Sequence, residues 1–261
     1  MSYKTLAPNY ITRFRRVIAN LGSGDKILNL GCGDGYYDPF LLKKFKNVVG
    51  LDVNKDDLTI AKNNNRSKNI SYFLGDGEKL SFKSSSFDAV ICVDVLEHVK
   101  FDDKIIKEIS RVLKNKGTLI VTVPNSQFPF TYDPINAFLG LFKVHIPIGL
   151  WGFGHFRLYS SGGLSKKLAD NGLKPIKIEH MLHSFCGLFE NYYLVNLFQI
   201  FTKSDPRNQT EKNKFMVKSL LNKQPPKLLA GIRDLIIDVD SWLFKNRKTS
   251  LGILIKARKM H

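Results

Sequence analysis

The first half of the chain alternates short apolar runs, rich in β-branched residues, with amphipathic stretches. Five of these runs read as strands, and they cover residues 26–30, 47–51, 70–74, 87–93 and 118–123. Between the last two, apolar residues recur at helical spacing over 104–113, and Lys116-Gly117 is expected to end that helix. Such alternation predicts βαβ units and a mostly parallel sheet.

The second half contains two further strand candidates, at 175–179 and 250–257. About 70 residues separate them, far more than the roughly 2 to 5 residues of a hairpin loop. We therefore expect a helical insertion over 182–248 between strands six and seven. Its opening stretch, 185–201, keeps its polar residues on no single helical face, which favours a core helix over the alternative of a helix set into a membrane interface.

Composition limits the class of protein. With 261 residues, 43% hydrophobic and 24% charged, the chain is expected to form one globular domain over 1–261 with a real core. Its three cysteines are far apart and follow no metal-ligand spacing, which argues against a disulfide framework or a structural zinc site. The amino terminus lacks the apolar run of a secretory signal, so a cytoplasmic location is expected.

The formal charge of +17 indicates attraction to anionic surfaces. Residues 1–130 carry 20 basic and 14 acidic groups, whereas 131–261 carry 20 and 9. Residues 202–261 alone carry 14 basic and 5 acidic groups, either as a solvated face or as a surface that meets lipid headgroups. A peripheral contact between the predicted insertion and an anionic membrane is therefore one expectation.

The first strand runs directly into glycines at alternate positions, Gly31, Gly33 and Gly35. Glycine allows a sharp turn and lets a ligand approach the backbone where a Cβ would repel it. A dinucleotide-binding fingerprint would place a further glycine at position 36, where this chain has Tyr36. The turn thus predicts a small ligand other than NAD or FAD.

Acidic residues follow the next two strands. Asp52 ends the second strand and can accept hydrogen bonds from both hydroxyls of a ribose, while Asp76 follows the third and can accept from an adenine amine. Either acid taken alone would more often be a helix cap or a solvated loop residue. Together with the glycine turn, they predict an adenosine-containing ligand at the carboxyl ends of parallel strands.

The chain resembles the class I S-adenosylmethionine-dependent methyltransferases, of the type 11 and quinone-pathway O-methyltransferase kind, in five blocks with the family's order and spacing. These blocks are ILNLGCGDG, VVGLD, FLGDGEKLSF, FDAVICVDVLEHV and LKNKGTLIVTVPN. The resemblance covers residues 10–181 and resumes at the last strand. It implies an α/β fold with a seven-stranded Rossmann-like sheet, six strands parallel and the last antiparallel.

The same resemblance implies S-adenosyl-L-methionine as the cofactor. The glycines would hold its methionine part, Asp52 its ribose, and Asp76 with Gly77 its adenine. Asn29 departs from the family, which usually has an acid there, although an asparagine still offers a carbonyl oxygen. The predicted cofactor-binding residues are Asn29, Gly31, Gly33, Gly35, Asp52, Val53, Asp76, Gly77 and Val93.

Two histidines are the candidate catalytic residues, because a hydroxyl acceptor must lose its proton and imidazole titrates near neutrality. His98 follows the fourth strand within Glu97-His98, where a structural polar pair is the alternative. His155 lies in a stretch similar to the GH-x-R-x-[YF]-[ST] motif of quinone, sugar and lipid methyltransferases, with a role in tying a lid to the sheet as the alternative. No resident metal is predicted, although carboxylate and imidazole could ligate one.

Residues 125–160 are the predicted substrate lid. The part from Phe128 to Trp151 is rich in aromatic and aliphatic residues but interrupted by glycine and proline, which suits the wall of a pocket for an apolar acceptor. The predicted substrate contacts are Tyr132, Trp151 and Arg157, of which Arg157 would meet an anionic group.

These observations favour methyl transfer to a hydroxyl of a small-molecule or lipid-like acceptor. A methyltransferase of RNA or protein that uses the basic surface is one alternative, and a non-catalytic scaffold that binds a membrane or partner is another. The chain lacks the Asn/Asp-Pro-Pro-aromatic sequence of base-directed enzymes after strand four, and Cys92 is expected inside a strand rather than on a catalytic loop. No nucleic acid partner is therefore expected.

Overall fold

A seven-stranded mixed sheet organises the computed structural model, which describes residues 7–130, 132–146, 154–190 and 227–260. Its strands are β1 (Gly24–Leu30), β2 (Phe45–Asp52), β3 (Ile70–Leu74), β4 (Phe87–Val93), β5 (Leu113–Pro124), β6 (Leu173–Met181) and β7 (Gly252–Lys259). They lie in the order β3-β2-β1-β4-β5-β7-β6. The pairs β1–β2, β1–β4, β2–β3 and β4–β5 are parallel. The predicted α/β class and Rossmann-like sheet are confirmed.

Helices connect most of the strands. In chain order they are α1 (Pro8–Asn20), α2 (Asp38–Leu41), α3 (Lys55–Asn64), α4 (Asp102–Val112), α5 (Pro134–Leu139), α6 (Ser161–Asp170), α7 (Ser184–Leu188) and α8 (Lys227–Phe244). Short 3-10 turns cover Leu96–His98 and Gly140–Phe142. The Asn54 side chain caps α3 by accepting hydrogen bonds from the N–H groups of Asp56 and Asp57.

The core lies between α4 and the sheet. Ile105, Ile106 and Ile109 recur on one face of α4 and are fully buried, together with Leu28 of β1 and Val90 of β4. Burying an aliphatic side chain of this size contributes about 1.5 to 3 kcal/mol. This burial fixes α4 against the strands and, with it, the carboxyl ends of β1 and β4.

The boundary between α4 and β5 differs from the sequence-based expectation. The helix predicted over 104–113 ends at Val112, and β5 begins at Leu113 rather than at residue 118. Leu113 is fully buried and pairs with Phe87, and the next pairing joins Thr118 to Ala89. The chain therefore enters the sheet earlier than predicted, through an irregular stretch in which Lys116 has φ +61°.

The other predicted strands occur in the expected order. The bounds of β3 and β4 agree with the prediction at both ends. Strands β1 and β2 begin two residues earlier than predicted, because Gly24 pairs with Phe45 at the amino end of the ladder. Polar residues near the start of these strands obscured that part of the pattern.

The chain forms two compact units. The sheet unit comprises Arg16–Pro124, Phe156–Glu179 and Ile253–His261, and the helical unit comprises Met1–Arg15, Asn125–His155 and His180–Gly252. In the helical unit, the carboxylate of Asp240 on α8 accepts hydrogen bonds from backbone N–H groups at the start of α7. These donors belong to His183 (2.6 Å), Phe185 (2.9 Å) and Cys186 (3.3 Å).

The predicted insertion over 182–248 is described only at its two ends, which contain α7 and α8. Most of the helix predicted over 185–201 lies outside the described residues, as does Trp151. Within the described ranges, no helix combines the length and the apolar character that crossing a membrane requires.

Candidate cofactor site at the carboxyl ends of the strands

A turn of three glycines follows β1, and each adopts a left-handed backbone, with φ of +72° at Gly31, +52° at Gly33 and +73° at Gly35. A Cβ on Gly31 would lie 2.2 Å from Cγ2 of Val95, so only glycine fits there. A Cβ on Gly33 would meet nothing within 4 Å. The turn is therefore packed tightly at Gly31 and open at Gly33, as a cradle for a ligand requires.

Asp52, the last residue of β2, joins its strand to this turn. One carboxylate oxygen accepts the N–H of Gly33 at 2.7 Å, and the other accepts the N–H of Asn54 at 2.9 Å. A carboxylate offers about four acceptor sites on its two oxygens, so each oxygen can take a second donor. The vicinal hydroxyls of a ribose are donors with suitable spacing, and the residues present fit an adenosyl ligand.

A buried polar network supports the turn from behind. The Asn29 amide donates to Asp38 at 2.7 Å, and the Tyr72 hydroxyl donates to the other oxygen of Asp38, also at 2.7 Å. The amide of Asn65 donates to Tyr72 at 2.9 Å and to the carbonyl oxygen of Gly35 at 3.1 Å. The acid that the family carries at position 29 is thus replaced by an amide bound to a carboxylate on α2.

Asp38 has no exposed surface, and this burial raises the pKa of its carboxyl from 3.8 to about 6. The hydrogen bonds from Tyr72 and Asn29 act in the opposite direction, and the nearby charge of Asp34 adds to the increase. Sequence reasoning missed both Asp38 and Tyr72. The only signal for Asp38 was an acid three residues beyond the glycine turn, and nothing singled out a tyrosine in β3.

The remaining predicted cofactor residues lie along the same edge of the sheet. Val53 follows β2 and is 67% exposed, although it is apolar. Asp76 follows β3, is exposed, and accepts the N–H of Glu78 at 3.0 Å. Gly77 is buried with φ +75°, and Val93 is the half-buried last residue of β4. All nine predicted cofactor-binding residues belong to the sheet unit and lie at or just beyond the carboxyl ends of β1 to β4.

His98 also belongs to the sheet unit. It ends the 3-10 turn after β4, its backbone N–H donates to the carbonyl oxygen of Val95 at 3.0 Å, and its side chain is exposed. Val95 lies two residues beyond β4, between that strand and the 3-10 turn. Its side chain also packs against Gly31. The chain segment that carries His98 is thus connected to the glycine turn through Val95.

Arg157 is partly exposed and pairs with a buried acid. Its Nη1 lies 2.6 Å from Oδ1 of Asp102, and its Nη2 donates to the carbonyl oxygen of Lys100 at 2.8 Å. Lys167 and the Tyr159 hydroxyl bind the same carboxylate at 2.8 Å and 2.6 Å. Burial acts to raise the pKa of Asp102, but these donors and cations lower it overall. The arrangement ties the segment after residue 156 to α4.

The other predicted residues, His155 and Tyr132, belong to the helical unit. Tyr132 is buried, Gly187 of α7 approaches its ring closely, and burial raises the pKa of its hydroxyl. His155 is half-buried. The predicted catalytic and substrate residues are thus divided between the two units, and their roles stay predictions.

A cavity of about 410 Å³ lies elsewhere in the sheet unit, along β2 and the edge strand β3. Lys26, Lys68, Phe73 and Phe82 are among its lining residues. None of the nine predicted cofactor residues, all within the described ranges, lines it. We therefore locate the candidate site by the glycine turn and Asp52 rather than by cavity volume.

Comparison with known proteins identifies relatives of this chain. Residues 28–121 match the family described as a methyltransferase domain. The chain is 32% identical over 117 residues to the ubiquinone biosynthesis O-methyltransferase of Coxiella burnetii, which covers 44% of this chain and 50% of that protein. It therefore spans about half the length of this curated relative.

Two further comparisons extend beyond the matched core. The chain is 34% identical over 191 residues to an uncharacterised methyltransferase of Schizosaccharomyces pombe, covering 67% of this chain and 72% of that one. The fold is also similar to that of phosphoethanolamine N-methyltransferase 2 of Haemonchus contortus, solved in complex with S-adenosyl-L-methionine. The TM-score is 0.58 and the sequence identity 16%, over 97% of this chain and 53% of that one. At this identity, the second comparison supports the fold alone.

Proposed function

Because the chain belongs to the class I S-adenosylmethionine-dependent methyltransferases, we propose that it methylates a hydroxyl group of a small-molecule or lipid-like acceptor. The observation that carries the proposal is the left-handed glycine turn bound to Asp52 at the carboxyl end of β1. The similarity to an O-methyltransferase over 117 residues supports the choice of a hydroxyl acceptor.

S-adenosyl-L-methionine would supply a methyl group on a sulfonium, which is already an excellent leaving group. The protein would then contribute mainly positioning and exclusion of water. Gly31, Gly33 and Gly35 would hold the methionine part, and the second acceptor sites of Asp52 would hold the ribose hydroxyls. The exposed apolar side chain of Val53 would pack on the adenine, with Asp76, Gly77 and Val93 around it. Asn29 would support the turn through its bond to Asp38.

Removal of the acceptor proton is proposed for a histidine. His98 is exposed at the strand edge that carries the cofactor residues, whereas His155 lies in the helical unit with Tyr132. His98→Gln and His155→Gln separate the two. The variant that loses turnover at unchanged affinity for S-adenosyl-L-methionine identifies the base, and full turnover in both variants excludes His98 and His155 as the base.

The proposed role of Arg157 is to bind an anionic group of the acceptor, and its contacts within the protein limit the donors that it can use. Its guanidinium already pairs with Asp102 and donates to a backbone carbonyl group, so a bond to a substrate anion would use its remaining donors. We expect Arg157→Lys to weaken the contact with Asp102 and to raise KM only for an acceptor that carries an anionic group.

The acceptor class is tested by incubating the protein with S-adenosyl-L-methionine labelled in its methyl group and a total lipid extract. We expect the label to partition with apolar products that resist mild base, as ethers do. Label incorporated instead in parallel incubations with RNA or with protein would favour the alternative that the net charge of +17 suggests. Calorimetry decides the remaining alternative, since a scaffold would bind no S-adenosyl-L-methionine even at millimolar ligand.

A further inference from the structure

Helix α8 in the helical unit exposes a continuous apolar face. Leu228, Ile232, Leu235, Val239 and Trp242 follow one another at spacings of four and three residues, which places them on one side of the helix. All five are exposed, at 75% for Leu228, 64% for Leu235 and 70% for Trp242. An apolar stripe of this length in contact with water marks a surface that meets another apolar phase.

Polar contacts on the opposite side hold α8 in this orientation. Asp240 is fully buried and accepts hydrogen bonds from three N–H groups at the start of α7. Arg233 is buried and pairs with Asp234 at 2.8 Å, and Asp234 also pairs with Arg15 at 3.1 Å. Rotating α8 to bury its leucines would break the contacts of Asp240 with α7 and of Asp234 with Arg15, so the outward direction of the apolar face is built into the unit.

A second stretch of the same unit has the same character. Ile135, Phe138, Leu141 and Phe142 are exposed on α5 and the 3-10 turn that follows it. The Phe138 and Phe142 rings are 5.7 Å apart. The helical unit thus presents aromatic and aliphatic side chains to solvent from two of its elements.

Exposed cations lie at both ends of α8. Lys227 is its first residue, and Lys245, Arg247 and Lys248 follow its last turn, whereas Asp238 is the exposed acid within the helix. Basic groups around an apolar stripe match an anionic lipid surface, where each adds about 1 kcal/mol. Two copies of the same cationic face would repel each other, which disfavours a second copy of this chain as the partner.

We propose that α8 lies in the headgroup layer of an anionic bilayer, with its apolar stripe towards the acyl chains and its terminal cations at the lipid phosphates. The stripe extends over about four turns of helix, enough for a peripheral, reversible attachment. The inference concerns a surface outside the cofactor site, and it does not depend on the acceptor or on methyl transfer.

The test uses the full chain and sedimentation with vesicles. We expect wild type to sediment with vesicles that contain phosphatidylglycerol and to remain in solution with pure phosphatidylcholine. Ile232→Glu should reduce the partition coefficient at least about tenfold, since it places a charge in the acyl boundary. Ile176→Glu on β6 is the matched control, because Ile176 is 45% exposed and Ile232 43%. It should sediment like wild type.

Two further measurements define the contact. Wild-type tryptophan emission should shift to the blue on addition of anionic vesicles, and the shift should disappear in Trp242→Phe. Lys245→Gln with Lys248→Gln should weaken binding and its dependence on salt, while unchanged thermal melting shows that each variant is folded. Absence of wild-type binding, equal binding of Ile232→Glu, or equal binding to neutral vesicles would overturn the proposal. Light scattering could also overturn the proposal. It would do so if wild type were a dimer that Ile232→Glu abolishes and if wild type did not bind vesicles.

Discussion

Helices α4 and α8 distribute their apolar residues in opposite ways. In the sheet unit, α4 buries Ile106 and Ile109 completely and exposes Asp103, Lys104 and Lys107. In the helical unit, α8 buries Asp240 and leaves Leu235 and Trp242 in solvent. Packing of apolar side chains therefore fixes the orientation of α4, whereas α8 combines hydrogen bonds and an ion pair with the packing of Ile237 and Phe244.

The same contrast extends beyond the two helices. Among the described residues, the exposed large apolar side chains of the sheet unit are scattered as single residues or pairs, such as Phe73 with Leu74. In the helical unit Tyr10 and Phe185 are exposed singly, and the other exposed side chains form two longer runs, within 135–146 and 228–243. Scattered exposure is normal in soluble proteins, but contiguous exposure indicates an interaction surface. The sheet unit accordingly suits ligand binding, and the helical unit suits attachment.

The largest expected difference between α4 and α8 is the loss of unfolding free energy when an isoleucine of each helix is shortened to alanine. Ile106→Ala in α4 should lower the free energy of unfolding by about 2 to 5 kcal/mol, because it removes buried contacts and leaves a cavity. Ile232→Ala in α8 should cost much less, about 0.5 to 1 kcal/mol, since Ile232 is 43% exposed. Denaturant titration of both variants measures the difference, and equal costs would show that the α8 face is packed rather than exposed.

A second prediction concerns the polar contacts that orient α8. Asp240→Ala leaves three N–H groups, two of them buried, without their acceptor and should cost about 2 to 3 kcal/mol in unfolding free energy. Asp238→Ala, an exposed acid on the same helix, is the matched control and should cost less than about 0.5 kcal/mol. The same urea titration serves both variants. A neutral Asp240→Ala would mean that apolar packing, and not hydrogen bonding, holds α8 in place.

A third prediction separates cofactor binding at the glycine turn from vesicle binding by the apolar stripe of α8. Gly31→Ala forces a Cβ against Val95 in a left-handed turn, and it should weaken S-adenosyl-L-methionine binding at least about 30-fold, or roughly 2 kcal/mol. Vesicle binding should stay at the wild-type level. Gly22→Ala, where a Cβ would meet nothing within 4 Å, should alter neither property. Calorimetry and sedimentation on the same preparations test this, and a joint loss of both activities would mean that the two surfaces are coupled.

Much of the fold could be predicted from the chain because buried strands and α4 carry regular apolar patterns. Strands β3 and β4 follow that pattern to their last residues. The start of β5 could not be predicted, since Leu113 continues the apolar spacing of the helix before it while pairing with Phe87 in the sheet. Periodicity of 3.6 residues predicts which face of a helix is apolar, but not which face is buried, and α8 shows the difference.

The candidate site was predictable only where backbone geometry demands a particular residue. Glycines with positive φ and an acid at a strand end have such a local signature, and the structure has them at one edge of the sheet. The network of Asp38 with Asn29 and Tyr72 has none, because it joins residues up to 34 positions apart through side-chain hydrogen bonds. Long-range polar contacts of this kind depend on the fold and produce no periodic pattern in the sequence.

The last prediction has the smallest expected effect. It compares two fully buried carboxylates, Asp38 in the sheet unit and Asp240 in the helical unit. Asp240 accepts three backbone N–H groups, whereas Asp38 is bound by two neutral side chains and has its pKa raised to about 6 by burial. A raised pKa means that the folded state holds the proton more tightly than the unfolded chain. The stabilisation is complete below pH 3.8 and is lost as the pH rises through about 6.

Relative to Asp38→Asn, which cannot titrate, wild type should therefore lose roughly 1.5 kcal/mol of unfolding free energy between pH 5 and pH 8. Urea titrations at several pH values measure this difference, and Asp170→Asn, at an exposed position in the same unit, should follow wild type throughout. A constant difference between wild type and Asp38→Asn would show that Asp38 stays ionised across this range. The hydrogen bonds from Tyr72 and Asn29 would then outweigh the desolvation of the Asp38 carboxylate.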